Sequence, residues 1–223
     1  MEGITHCGEC EALPCDKLRA YSYDDPEHGD KPPGARIERC RRWAADKPGL
    51  RLIRPEQSFM DSYLDVCRGY KELGVKHHFP DPDEFEIWGP GLIRRFEDDR
   101  LGINLKDGYV PASAFWLVMG GEVIGEGNIR HSLTPVLERF GGHIGYAVRA
   151  GRWGMGYGSV LLALLLKEAE KLNIKNALIT CNEENIASRR VIEKNNGVYI
   201  DTVDNTYEGE QFKTRRYMVL LGY

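Results

Sequence analysis

Glycines at 154, 156 and 158 alternate with Met155 and Tyr157 in the stretch Arg149-Ala150-Gly151-Arg152-Trp153-Gly154-Met155-Gly156-Tyr157-Gly158-Ser159. Glycine lets a backbone take up positive φ and come close to a ligand. A helix that starts here offers unpaired N–H groups and the positive end of its dipole. Together they suit a phosphate or pyrophosphate. Two common phosphate loops do not fit. No lysine stands where a Walker loop needs Gly-Lys-Ser/Thr, and Ser159 occupies the sixth position counted from Gly154, where the dinucleotide fingerprint needs glycine. A bare strand-to-helix turn is the other reading of the spacing. The second cluster that could do chemistry is His6-Cys7-Gly8-Glu9-Cys10 with Cys15 five residues on. Cys7, Cys10 and Cys15, completed by Cys40 or His28, could hold a structural zinc ion in a tetrahedron. A thiol-bearing docking segment is the alternative.

The turn needs a strand before it and a helix after it. His143-Ile144-Gly145-Tyr146-Ala147-Val148 reads as that strand, and Gly156 to Leu172, apolar almost all round, as a helix packed on more than one side. Upstream, Leu50 to Arg54 alternates like a strand, and Pro55 starts a helix to Leu73 with Phe59, Tyr63, Cys67 and Tyr70 on one stripe. A helix around Phe85 to Asp99 is broken by Gly89-Pro90-Gly91. Ala114 to Met119, the Gly120-Gly121 turn and Glu122 to His131 form a hairpin, and a short helix starts near Thr134-Pro135. Ala177 to Cys181 is a continuous apolar run of the kind found at a sheet centre. Asn185 to Lys194 is a helix, and Val198 to Val203 and Arg215 to Leu221 are strands. The order predicts an α/β (α+β) fold with a mixed, mostly antiparallel sheet and helices on both faces.

The chain has 223 residues, 42% of them hydrophobic and 29% charged, with a net charge of −4. That supports one core plus a small appendage. Residues 1–48, cysteine-containing and broken by Asp30-Lys31-Pro32-Pro33-Gly34, read as an N-terminal extension, and 50–223 as the main domain. Lys and Arg are scattered, so no nucleic-acid partner is expected. No apolar run reaches the roughly 20 residues of a membrane helix, and no secretory signal opens the chain, which points to the cytoplasm, away from membranes. There, six cysteines are expected as free thiols or metal ligands.

Trp153-Gly154-Met155-Gly156-Tyr157-Gly158 resembles the acyl-CoA pyrophosphate loop of the GNAT superfamily of N-acetyltransferases, which usually reads Gln/Arg-x-x-Gly-x-Gly/Ala after a strand ending in Val. Trp153 replaces the Gln/Arg, as it does in the ribosomal-protein N-terminal acetyltransferase branch. Asn182 through Asn195 resembles the later motif of the superfamily, Asn-x-x-Ser/Ala-x-x-Val/Leu-Tyr-x-Lys-x-Gly. The resemblance implies the GNAT acyl-CoA N-acyltransferase fold, acetyl-CoA as co-substrate, and direct acetyl transfer to a primary amine in a ternary complex. It implies a cofactor site made of Ala147, Val148, Trp153, Gly154, Met155, Gly156, Tyr157, Gly158, Ser159, Asn185 and Ser188. Val148 N–H would polarise the thioester carbonyl, and Asn185 would bond the pantetheine arm, a role that its alternative as a helix N-cap does not exclude. The head resembles the end of a small cysteine-rich domain of unknown function.

The superfamily's usual glutamate base falls at Gly142, and its usual tyrosine acid at Ile192. The candidates for the base are therefore His143, beside that position, His131, at the end of the preceding strand, and Glu126, among glycines; ordered water is the alternative. Alternation points His143 to the opposite face unless a bulge re-aims it. Tyr199 and Tyr217 could approach as acids. The acceptor is expected to be a small-molecule or peptide amine. Asp81 to Glu86 and Glu97-Asp98-Asp99 could line its path, or be ordinary solvated surface. A homodimer is also expected. The rival reading is a non-catalytic acyl-CoA-binding regulatory module.

Overall fold

Pro55 follows the short strand β1 (Arg51–Ile53), and a 3-10 turn over Gln57–Phe59 leads into helix α1 (Met60–Glu72). A computed structural model describes residues 49–75, 78–207 and 209–221. The extension over 1–48, with Cys7, Cys10, Cys15, His28 and Cys40, lies outside the described residues, and so does the expected zinc site. In α1, Tyr63, Val66, Cys67 and Tyr70 recur at helical spacing, all buried, and this stripe packs against Trp116, Val118 and Val123. Helices α2 (Phe85–Trp88) and α3 (Leu92–Leu101) are separated at Gly89-Pro90-Gly91, as the sequence predicts.

Strands β2 (Ala112–Met119) and β3 (Glu122–Arg130) form the expected hairpin, with positive φ at both Gly120 and Gly121. Its register shifts by one residue, so Leu117 faces Gly125 while Val118 faces Val123. The extra residue, Ile124, is a β-bulge. It puts Val123 and Glu126 on one face, beside Trp116 and Val118. Thr134 caps α4 (Pro135–Arg139) by accepting the Leu137 N–H at 3.3 Å. Then come β4 (Ile144–Val148), α5 (Tyr157–Lys171), β5 (Asn176–Asn182), α6 (Ile186–Lys194), β6 (Val198–Tyr207) and β7 (Glu210–Leu220).

The strands form two sheets, β1-β2-β3-β4 and β5-β7-β6, antiparallel at every pairing. Their facing edges come together at the start of β4, where His143 N–H donates to Leu178 O at 2.7 Å and Gly141 N–H to Thr180 Oγ1 at 2.9 Å. Farther along, the Tyr146 hydroxyl bonds Ser188 Oγ in α6 at 2.8 Å, beyond the end of β5. Among the described residues no ladder joins β4 to β5, and the gap between these two edges past their junction is the wedge. This corrects the expectation for Ala177 to Cys181, which is no sheet centre. Strand β5 pairs with β7 on one side and touches β4 only near its start. Its apolar run reports burial on its faces.

Helices α1 and α3 cover one face of the first sheet and α5 the other. Leu161, Leu162 and Leu165 of α5 are fully buried, each stabilising by about 2 kcal/mol before entropy is counted. Helix α5 lies this close because β3 carries glycine beneath it: a Cβ on Gly127 would sit 2.3 Å from Leu165 Cδ1, and one on Gly125 2.7 Å from Ala147 O. The Gly-Glu-Gly pattern of β3 thus seats a helix on one face and leaves Glu126 on the other. Among the described residues no helix is long and apolar enough to cross a membrane.

Candidate active site

The wedge opens beside Val148. In the β3–β4 ladder Arg130 N–H donates to His143 O and Arg149 N–H to Ile124 O, so 124/149, 126/147 and 130/143 are the hydrogen-bonded pairs. By alternation Val148 is a non-bonded position, and its N–H and C=O turn away from β3 toward the wedge. Its carbonyl accepts the Tyr70 hydroxyl at 2.8 Å and the Trp153 indole N–H at 2.7 Å. Trp153 therefore ties the glycine turn back to the strand end, while about half of its surface stays exposed.

A 3-10 turn over Ala150–Arg152 precedes Trp153, and Gly154 and Gly156 then take φ of +75° and +85°. Gly156 caps α5 in the left-handed region with no side-chain cap hydrogen bond, and its carbonyl accepts the Ser159 and Val160 N–H groups. A Cβ on Gly154 would meet nothing within 4 Å, so the turn is open on its outer side. Met155 is half exposed, whereas Tyr157 is buried. Gly158 fits against Val148 and Val191, and Ser159 O accepts Asn195 Nδ2 at 3.1 Å, joining α5 to α6. Across the wedge, Asn185 Oδ1 accepts the Ser188 N–H at 2.9 Å, the N-cap role. Ser188 carries the Tyr146 hydroxyl, whose pKa burial pushes up. Ala147 spends its main-chain groups on Glu126 in the ladder.

On the opposite face of β3 lies a cavity of about 500 Å³ with Glu126 in its wall, next to Tyr63, His78, Arg95, Asp98 and Asp99. Glu126 is 6% exposed. Its Oε2 accepts the Trp116 indole N–H at 3.3 Å, and its Oε1 is 2.9 Å from His78 Nε2. Burial, and next the Glu126 charge, push the Tyr63 hydroxyl well above its usual pKa, so it stays protonated. Burial likewise raises Asp99. Asp98 and Asp99 line this cavity together with Arg95 and Lys106, while Asp81 and Asp83 are tied to Lys71 at 2.7 Å each.

The two histidine candidates stand elsewhere. His143 precedes β4, five residues from Val148, roughly 16 Å along an extended chain. Its Nδ1 accepts the Leu178 N–H at 3.0 Å, and burial lowers its pKa. His131 follows β3 with Nε2 2.9 Å from Ser113 Oγ, its pKa lowered by burial and then by Arg100 and Arg54. Gly142, the family's glutamate position, has φ +60°, and a Cβ there would lie 2.5 Å from Leu178 O. No carboxylate can be carried at that point. Tyr217 is buried with its hydroxyl 3.4 Å from Glu193 Oε1, and Tyr199 bonds Thr202 at 3.0 Å. His78, Trp116 and Tyr63, the groups around Glu126, carry no local sequence signal. With Glu126 they come from positions 63, 78, 116 and 126 and converge only in the fold. Among the described residues no group of three His, Cys, Asp or Glu could hold a metal ion, and Cys67 and Cys181 are buried free thiols.

The model of the acetyltransferase (GNAT) domain family matches residues 76–198. No curated protein matches the chain. Among solved structures, RimJ of Mycobacterium smegmatis, in complex with CoA-disulfide, is similar at a TM-score of 0.60 and 14% identity, covering 77% of this chain and 81% of that one. The microcin C7 self-immunity acetyltransferase MccE, in complex with acetyl-CoA and AMP, is similar at 0.58 and 13%, covering 79% and 93%. The Salmonella typhimurium protein yncA, with its cofactor acetyl-CoA, is similar at 0.55 and 12%, covering 78% and 94%. At these identities the likeness is one of fold.

Proposed function

Since the chain belongs to the family of acetyltransferase (GNAT) domains, we propose that it moves an acetyl group from acetyl-CoA directly onto a primary amine in a ternary complex, with Glu126 as the proton acceptor. The observation that carries this reading is that a buried carboxylate sits in a cavity wall on one side of the β3–β4 ladder, directly opposite Ala147, while the wedge with the outward-turned Val148 N–H adjoins the next residue.

The chain's own groups fit acetyl-CoA. The open glycine turn, the uncapped first turn of α5 and its dipole suit a pyrophosphate, and Gly154, Met155, Gly156, Tyr157, Gly158 and Ser159 would supply main-chain N–H groups there. Trp153 holds the turn against the strand. Asn185 and Ser188 would face the pantetheine arm beside Ala147 and Val148. Bound acetyl-CoA supplies an activated acyl group. The Val148 N–H polarises its carbonyl, a donor preset where negative charge develops. Glu126 takes the proton that the amine must lose before it can attack. Acetyl-CoA in two solved structures of the same fold supports the choice of co-substrate.

The test is thiol release from acetyl-CoA across a panel of small amines, amino sugars and peptide N-termini. The expected result is turnover with one class. In Glu126→Gln, kcat falls by about a hundredfold while calorimetry shows acetyl-CoA affinity kept. An unchanged kcat removes Glu126 from the mechanism, and binding without turnover for every amine favours the regulatory module. We also propose that 50–223 is the transferase and 1–48 an added segment. A chain beginning at Lys47 should fold and bind acetyl-CoA as the whole protein does, and loss of either would make the head part of the core.

A further inference from the structure

Acetylation of an ammonium group converts R–NH3+ and the thioester into R–NH–COCH3, CoA–SH and one H+. A proton must therefore leave the acceptor site in every cycle, and Glu126 has little contact with water. Its Oε2 is held by Trp116, over whose indole the Tyr63 ring stacks at 4.6 Å. Its Oε1 meets His78 Nε2 at 2.9 Å, and there the burial ends: the His78 side chain is 56% exposed against 7% for Glu126. The ring of His78 is steadied by stacking on Phe79 at 4.7 Å and 27°. A nearly dry carboxylate is thus joined by one hydrogen bond to a wet imidazole.

Resting on the reading of Glu126 as the proton acceptor, we propose that His78 is the proton exit of the acceptor site. The amine's proton moves to the Glu126 carboxylate, whose O–H bond forms as the N–H bond breaks. Glu126 then passes the proton to His78 Nε2, which accepts it while the ring carries its own hydrogen on Nδ1. The imidazolium releases a proton to water or buffer from its exposed edge and, by exchange with that water, regains the form that accepts at Nε2. Glu126 is left ionised for the next amine. The other groups near the pair are Tyr63, Cys67 and Tyr70 on α1, all raised in pKa by burial and so protonated, Arg95, Asp98 and Asp99 on α3, and Lys106 and Tyr109 in the same cavity wall. The hydrogen bond from Glu126 toward water runs through His78. The role is one of relay through Glu126, without contact to the reacting atoms.

The experiment uses the whole protein, acetyl-CoA and the fastest amine of the panel, with free imidazole varied at fixed pH and ionic strength. His78→Ala should lower kcat by about tenfold or more, leave acetyl-CoA affinity within twofold, and regain rate in proportion to imidazole. His78→Gln, which can still hydrogen-bond Glu126 but cannot relay a proton, should be equally slow and unrescued. Glu126→Gln should be slow and insensitive to imidazole. Wild-type kcat in His78→Gln overturns the relay, and so does a slow, folded His78→Ala that no imidazole restores, which would mark a structural role. If His78→Ala does not fold, His78→Gln decides. Wild-type kcat in Glu126→Gln instead overturns the reading beneath it, whatever His78 does.

Discussion

The two faces of the β3–β4 ladder are built by opposite means. On the α5 face the groups proposed to act are main-chain: Val148 N–H, the turn at Gly154 and Gly156, and the first turn of α5. Gly125 and Gly127 let α5 approach β3 there, and Gly158 lets it approach Val148. On the α1 and α3 face the proposed group is a side chain, Glu126, held by Trp116 and His78. A main-chain site is made by a dozen consecutive residues. A side-chain site needs the whole domain to fold first. The first should tolerate changes in residue type that keep the backbone course; the second depends on each partner's identity.

The largest expected effect comes from forcing a side chain where the backbone forbids one. Gly142→Glu restores the family's usual carboxylate on paper, but φ is +60° and the Cβ would sit 2.5 Å from Leu178 O, a backbone atom where the two sheets adjoin. The variant should lose about 3 kcal/mol or more, seen as a Tm drop of roughly 6–12 °C, with no gain in kcat. A folded Gly142→Glu with raised kcat and wild-type Tm would show that the base can stand on either side of the ladder.

Next is Gly156→Asp, aimed at the main-chain face. Aspartate tolerates the left-handed φ of +85° better than most residues, so the fold should persist. Its carboxylate would stand at the uncapped start of α5, where the pyrophosphate is proposed. Calorimetry should show acetyl-CoA binding weakened by about tenfold or more through like-charge repulsion. Unchanged affinity in the folded variant moves the site elsewhere.

What the sequence made legible follows the same division. The hairpin, the glycine turn, α5 and the Asn185 cap are local patterns, and each stands where its pattern predicts. The wedge was not legible: the apolar run Ala177 to Cys181 records that its faces are buried, which is silent on the hydrogen-bonding neighbour at its edge. Nor was the full length of β6 and β7, because Asp204, Asn205, Lys213 and Thr214 read as loop although Asn205 and Thr214 are buried and bonded to one another at 3.0 Å. At the candidate site Glu126 was one of three possibilities, placed among glycines, and nothing in the sequence set it above His143 or His131. The contacts that distinguish it from His131 and His143 come from residues 10, 48 and 63 positions away in sequence from one another or from it, for which no spacing rule exists.

The smallest expected effect separates His143 from the chemistry altogether. Its Nδ1 can accept the Leu178 N–H only when it carries no proton, and burial, with Arg130 nearby, lowers its pKa below the usual 6.5. The folded pKa therefore lies under the unfolded one, so the unfolded chain binds more protons as the pH drops. The contribution is fully present above about pH 7 and is lost as the pH falls through 6.5 toward the folded value. His143→Ala removes the acceptor of a buried amide, which costs about 1–2 kcal/mol near pH 8. His131 has the same sign of shift but is present in both proteins, so it cancels in the difference. The Tm gap between wild type and His143→Ala should be widest at pH 8 and narrow toward pH 5, while kcat stays within about threefold. A hundredfold loss of kcat with no pH-dependent Tm gap would return His143 to the active site and break the assignment of proton transfer to the Glu126 face.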